Sequence, residues 1–426
     1  MHSRPTLLLR GALLGSAVAL ATFAPAVGAN ASRADLMRAA AGDHTSAFWS
    51  HGAASSAASR HAPHADATFT VLHAFAGSPG DGATSGAEVS LDSAGNIYGT
   101  TDFGGTAGWG VVFKITPDGT ETILHSFDGA AGGSEPDGAV HIVASTGDLY
   151  GSTIAGGSSG NGVIYKLAAD GTYTVLHNLD GTNDGTFARG RLIRNAANTA
   201  LYGTALFGGT NGDGTVFKYA YDGTFTVLHT FNGNDGEFPE HGLARDPAGN
   251  WYGVTAFGGT GGQGTVFKIA SDGTFSTIYN FTGGTADGGF LYGTVDTDKD
   301  GNIYGSTVDG GAHGFGTVFK LAPDGTLTTL YSFTGATDGG GPEGDMLKSG
   351  KNLYSTTSSG GDPSCGCGVV YQVNIATGKE KVLHAFTNSD GGVYSAGLTK
   401  KNHVFYGTTE SYGANGDGTV FSLTKK

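Results

Sequence analysis

The chain has 426 residues, of which 77 are glycine, 14% are charged and 10% are aromatic, with a formal net charge of −14. Glycine at about 18%, against an ordinary ~7%, excludes long helices and favours short strands joined by tight turns. The acidic balance excludes a nucleic-acid partner, which needs a basic face.

Residues 1–29 read as a secretory signal: Arg4 and Arg10, an apolar run from Gly11, and small residues Val27 and Ala29 before a cleavage point. No cysteine follows the run, so lipoprotein processing is not expected. The alternative is a retained anchor, for which the run is barely long enough. Cleavage would take the formal charge from −14 to −16 by removing two arginines. The expected fate is a secreted or periplasmic protein with no membrane span after signal removal. Residues 30–66 are rich in Ala, Ser and His without a strand period, and read as a flexible linker. Its His44, His51, His61 and His64 belong to a solvated tail on this reading.

From Ala67 to about residue 424 the chain repeats. A "YGT"-like motif places Tyr98, Tyr150, Tyr202, Tyr252, Tyr304, Tyr354 and Tyr406 at intervals of 50 or 52 residues. Each is followed by a "GTVFK"-like run and then by "TVLHxF". Alternating β-rich runs with Asp-Gly turns between the last two, and a "DPAGN"-like turn before the tyrosine, give four strands per unit. A period near 50 with four short strands predicts an all-β, seven-bladed β-propeller. One unit buries too little to fold alone, so the blades must stack. The chain starts with an orphan "FTVLHAF" (69–75) and ends with an orphan "GTVFSL" (418–423). These are the two halves of a hairpin joined in every other unit, so the ring should close by pairing the N-terminal strand with the C-terminal one.

The order "LYGT", "GG", "GTVFK", "DGT", "LxF" resembles the GloVer tandem repeat, named for Gloeobacter and Verrucomicrobia, over residues 67–424. It is also similar to kelch blades, without the tryptophan of their fourth strand. The resemblance implies export and a propeller-like fold, and no established activity.

The glycine loops, "FGGTNGDGTVFK" (207–218) among them, lead into strands. A phosphate loop leads into a helix whose amides face the anion, so these loops are expected to be structural. His73, His125, His177, His229 and His384 recur in "LH" and are expected to pack or hydrogen-bond between blades. "DTDKDGNIY" (296–304) lacks the glutamate and flanking helices of a calcium hand and reads as a hairpin turn. Cys365 and Cys367 stand in a glycine loop two residues longer than the rest, and a local disulfide is the favoured reading, with free thiols and a two-ligand metal site as alternatives. The Asp-Gly-Thr turns differ from the Asp-box of sialidases, and no nucleophile or metalloprotease motif occurs.

Function should therefore lie where copies differ, and the glycine loops are set aside as lying on the ring's other connection. The loops entering each innermost strand are 11 residues long in six of seven copies and vary in residue type. They offer Glu135, Asp137, Arg189, Glu237, Glu240, His241, Tyr292, Glu343 and Tyr394, with Arg191, Asp345 and Glu88 just inside. Acids, arginines and rings together suit a sugar or peptide. The expectation is a monomeric, non-enzymatic binding or scaffold module for a glycan, peptide or cell-surface component, without cofactor or metal. The alternative is a carbohydrate-active hydrolase or lyase using rim carboxylates.

Overall fold

The computed structural model describes residues 67–392 and 396–426; the expected signal segment (1–29) and linker (30–66) lie outside the described residues. Seven four-stranded antiparallel sheets form a seven-bladed β-propeller. Blade 3 shows the order from channel to rim: Ile193–Arg194, Ala200–Ala205, Thr215–Ala220 and Phe225–Thr230. Blade 1 starts at Ser90–Leu91 and blade 6 ends at Glu380–Ala385. The innermost strands have only two or three residues. Blade 7 takes Thr399–Lys401, Val404–Thr409 and Thr419–Lys425 from the end of the repeat region and Ala67–Ala74 from its start. These last two strands pair antiparallel from Ala67 opposite Lys425 to Ala74 opposite Thr419, and so close the ring.

Each letter of the repeat has a physical reason. The glycine of "YGT" sits opposite the third-strand aromatic, as in the Gly253–Phe267 and Gly99–Phe113 pairs. A Cβ on Gly253 would lie 2.4 Å from Phe267 Cζ, so the ring can cross the backbone only where no side chain stands. The tyrosine before it bonds the turn of its own hairpin. Asp246 accepts from the Asn250 side chain at 2.7 Å and from the Tyr252 hydroxyl at 3.1 Å. Asp298, Asn302 and Tyr304 repeat the arrangement in the calcium-like stretch. In "TVLH" the leucine is the extra residue of a β-bulge: Val216 pairs with His229 and Phe217 with Val227, leaving Leu228 unpaired. The same shift recurs in all seven outer pairings.

The core lies between blades. Phe75, Phe127, Phe231, Phe281 and Phe333 are fully buried, each against the third-strand aromatic of the following blade. The "LH" imidazoles also bridge blades: His177 lies flat on Phe225 and His229 on Phe275. The same rings bond an aspartate in the next connection, His177 Nε2 to Asp184 at 2.7 Å and His229 Nε2 to Asp235 at 3.1 Å. Tyr331 donates to Asp338 in the same way at 2.8 Å. The 11-residue connections are thus less free than their variable residues imply. Six of the seven carry an Asp-Gly pair whose aspartate anchors them. Cys365 and Cys367 are joined, with an S–S distance of 2.00 Å.

Candidate functional site at the channel throat

The 11-residue connections and the glycine loops lie on one face of the ring, which corrects the expectation that the glycine loops sit elsewhere. Bridges join them within each blade, for example Thr186 with Phe207, Glu237 with Phe257 and Gly340 with Ser359. Each of the six connections described at this point fixes one residue between neighbours. The Phe238 amide donates to the Asp213 carbonyl of blade 3, and its carbonyl accepts from Ala256 of blade 4. Thr84, Glu135, Phe187, Phe238 and Phe290 occupy this position with φ between 55° and 59°, and Gly341 takes it in blade 6 with φ 59°. Two residues further on, each connection except the first of these turns a polar side chain to the throat: Asp137, Arg189, Glu240, Tyr292 and Glu343. At the first connection this position is Gly86, and the Glu410 and Asp137 carboxylates crowd over it, 2.7 and 2.9 Å from where a Cβ would stand.

These groups form one electrostatic unit. Arg189 Nε donates to Asp137 Oδ2 at 2.5 Å and its guanidinium reaches Glu240 Oε2 at 3.3 Å. His241 Nδ1 meets Asp345 Oδ1 at 3.2 Å, and Arg191 lies 3.6 Å from Glu88. Glu343 accepts from the Ser358 hydroxyl at 2.9 Å. Seven carboxyl groups, those of Glu88, Asp102, Asp137, Glu240, Glu343, Asp345 and Glu410, face two guanidinium groups and one imidazole.

The excess shows in the titration of the acids. Burial pushes Glu343 up to about 8, against the Ser358 hydrogen bond and the His241 charge. Burial, then the Asp345 charge, pushes Glu88 up to about 7. Burial and the neighbouring Asp137 carboxylate hold Asp102 and Glu410 well above the usual carboxylate range. Burial raises Glu240 and Glu135 too, opposed at Glu240 by Arg189 and reinforced at Glu135 by Asp137. Asp345 goes the other way: burial works against its charge, but His241 and the Thr294 amide hold it below the ordinary value. Asp102 is 9% exposed, and its Oδ1 has no hydrogen-bond partner among the described groups. Glu88, Asp137, Arg191, His241 and Asp345 line a small cavity of about 10 Å³. Glu88, Arg191 and Asp345 also line a larger cavity of about 350 Å³ between the innermost strands.

Of the residues picked from the sequence, Asp137, Arg189, Glu240, His241, Tyr292, Glu343, Arg191, Asp345 and Glu88 are brought together, with Glu135 at the edge. Glu237 is not: it pairs with Phe257, and its carboxylate lies against Gly233 in its own connection. Tyr394 lies outside the described residues. Sequence reasoning missed Asp102 and Glu410, which directly follow the second strands of blades 1 and 7. Their signal was present: four residues after each repeat tyrosine stand Ile154, Leu206, Ala256, Val308 and Ser358, and only blades 1 and 7 place an acid there.

The profile of the Gloeobacter/Verrucomicrobia repeat matches residues 49–248 and 241–426. The chain belongs to this repeat family. No curated protein sequence matches it. Among solved structures, an extracellular domain assigned to a hybrid two-component system of B. thetaiotaomicron is similar at TM-score 0.54 and 12% identity, covering 84% of this chain and 42% of that one. Puromycin hydrolase is similar at TM-score 0.51 and 11% identity, covering 77% and 50% respectively. This repeat-family member thus spans half or less of those two proteins, and at such identities the likeness is one of fold. A gluconolactonase from Xanthomonas campestris, at TM-score 0.44 and 14% identity over 85% of this chain and 90% of its own, is too distant to carry an argument. Among the described residues no helix is long and apolar enough to cross a membrane.

Proposed function

We propose that the protein is an exported, non-enzymatic binding module that holds a glycan on the loop face, with the throat carboxyls taking its hydroxyl groups. The observation that carries this is the arc of rings that Phe187, Phe238 and Phe290 help to form on the loop face. All three hold φ of 57–59°, where a bulky residue is strained and where blade 6 uses glycine. The conformation belongs to the repeat, since Thr84 and Glu135 share it; what sets these three connections apart is that each puts a ring there. Their rings form an arc with those of Phe207 and Phe257, with successive centroids 5.0–5.8 Å apart across blades 3 to 5. Each strained phenylalanine stands two residues before a throat side chain, so rings and polar groups face a ligand as a set. Trp109 and Phe315, 43% and 36% exposed, add ring surface on the glycine loops of the same face. Rings stack on the apolar faces of sugars, while a few polar groups fix orientation. The throat supplies acceptors in Asp137 and Asp345 and donors in Arg189 and the protonated carboxyls. Export rests on the N-terminal segment.

A second reading has one observation in its favour. Glu343 and Asp345 titrate in opposite directions beside the same imidazole, as an acid and a base of a hydrolase would. A glycan array on the full chain, followed by calorimetry and a reducing-sugar assay on the best ligand, separates the two. Binding without turnover, weakened at least tenfold in Phe238→Ala, is the expected result. Turnover abolished in Glu343→Gln would replace the binding reading with the hydrolase one.

A further inference from the structure

A second set of ligand atoms lies at the outer wall, at the seam where the ring closes. At four blade boundaries the outermost imidazole stacks on an aromatic ring of the next blade: His125 on Tyr173, His177 on Phe225, His229 on Phe275 and His384 on Phe69, with centroids 3.4–4.0 Å apart. At the boundary of blades 7 and 1 the imidazole is His73, and Glu121 takes the place of the ring. His73 Nε2 lies 3.0 Å from Asp81 Oδ2 and 3.9 Å from Glu121 Oε2. One ligand atom from each residue lies within 4.8 Å of the other two.

One further observation points to a ligand there. The second oxygen of Glu121 is buried and has no hydrogen-bond partner among the described groups. Asp81 is oriented from behind, because the Ala76 and Gly82 amides donate to its carboxylate at 2.8 and 2.6 Å. The same amide anchoring holds the aspartates of the other connections, so Asp81 is fixed in place as part of the repeat. The three side chains are 13–20% exposed, which leaves the site open to water on one side.

We propose that His73, Asp81 and Glu121 bind one divalent first-row transition ion, Zn²⁺ above all, and that the ion pins the ring seam. One imidazole nitrogen and two carboxylate oxygens at about 2.0–2.2 Å, with water completing a tetrahedron, suit Zn²⁺. Ca²⁺ needs six or more oxygens and Mg²⁺ a near-octahedral oxygen shell, which this set does not offer. The ion would join the first strand of the ring, which carries His73, to the outermost strand of blade 1, which carries Glu121. Blades 5 and 6 provide an internal control, since Tyr331, Asp338 and Glu380 repeat the carboxylates with a phenol in place of the imidazole.

The test uses the full chain after chelator treatment, titrated with ZnCl₂ by calorimetry and melted with and without the ion. One equivalent of Zn²⁺ should bind and raise Tm by several degrees, and Co²⁺ should give a visible absorption band. Glu121→Phe rebuilds the stack used at the other boundaries, so it should fold, lose the site and show no Zn²⁺ shift. Glu380→Gln should respond as the unmodified chain does. Absence of Zn²⁺ binding overturns the proposal. So does binding that persists unchanged in both Glu121→Phe and His73→Gln, which would place the ion elsewhere, the histidines of residues 30–66 included.

Discussion

The closure of the ring predicts that a side chain at the very start of the repeat region matters as much as one in its middle. Phe75 follows the first strand, and Phe231 stands at the same place three repeats later. Both are fully buried, and each meets the aromatic of the next blade with centroids 5.2 Å apart, Phe113 for the first and Phe267 for the second. Truncating a buried phenylalanine costs about 3–5 kcal/mol, the lost transfer energy plus the cavity left behind. In a closed ring Phe75→Ala and Phe231→Ala should both fall in that range and differ by about 1 kcal/mol or less, since their surroundings match. Equilibrium urea denaturation followed by circular dichroism measures the two side by side. If the first strand were a frayed end, Phe75→Ala would approach the unmodified stability while Phe231→Ala remained costly. That outcome would refute the closure argument. Deleting residues 67–76 should lower the melting temperature sharply, and an unchanged melt would refute closure equally.

Gly253→Ala should destabilise by about 1–3 kcal/mol or more through overpacking, because its Cβ would meet Phe267 at 2.4 Å and Leu243 at 3.0 Å; pairing it with Phe267→Leu should recover part of the loss in the same denaturation assay. Asp235→Ala removes the acceptor of the His229 ring and of the Asn232 amide and should cost about 1–3 kcal/mol. The corresponding connection of blade 2 has Gly132 and no such aspartate, so His125→Phe should cost little by the same measure. Glu343 carries its proton in the folded chain up to about pH 8, against an ordinary value of 4.5. The folded state therefore binds the extra proton between those values, and stability is fully present below the lower one and declines as pH rises towards the upper. Glu343→Gln should flatten that decline, matching the unmodified chain near pH 5 and exceeding it near pH 8.

The fold was legible because its signals repeat. Seven tyrosines at near-constant spacing gave the blade count, and the orphan strands at residues 69–75 and 418–423 gave the closure. The site was legible only in part. Asp137, Arg189, Glu240, Tyr292 and Glu343 stood out as departures from a common pattern, and the ring geometry turns those departures to one throat. Glu237 departs as well, yet lies three residues before the throat position of its own connection, and the register of the αL residue decides which of the two enters. Asp102 and Glu410 were missed because they directly follow strands taken as scaffold. The hydrogen bonds of the "LH" imidazoles were expected, but their aspartate partner was not identified because it shifts by one or two residues between connections, so a fixed-length alignment hides it. Only the three-dimensional pairing of imidazole with carboxylate reveals it.

If the loop face binds a glycan through the phenylalanine arc and the throat carboxyls without turning it over, calorimetric titration of the best array ligand into the full chain, Phe238→Ala and Glu343→Gln should show it. Binding to the full chain should be saturable, weakened at least tenfold in Phe238→Ala and measurably in Glu343→Gln, with no sugar released in any of them. Binding that is indifferent to both substitutions would contradict it.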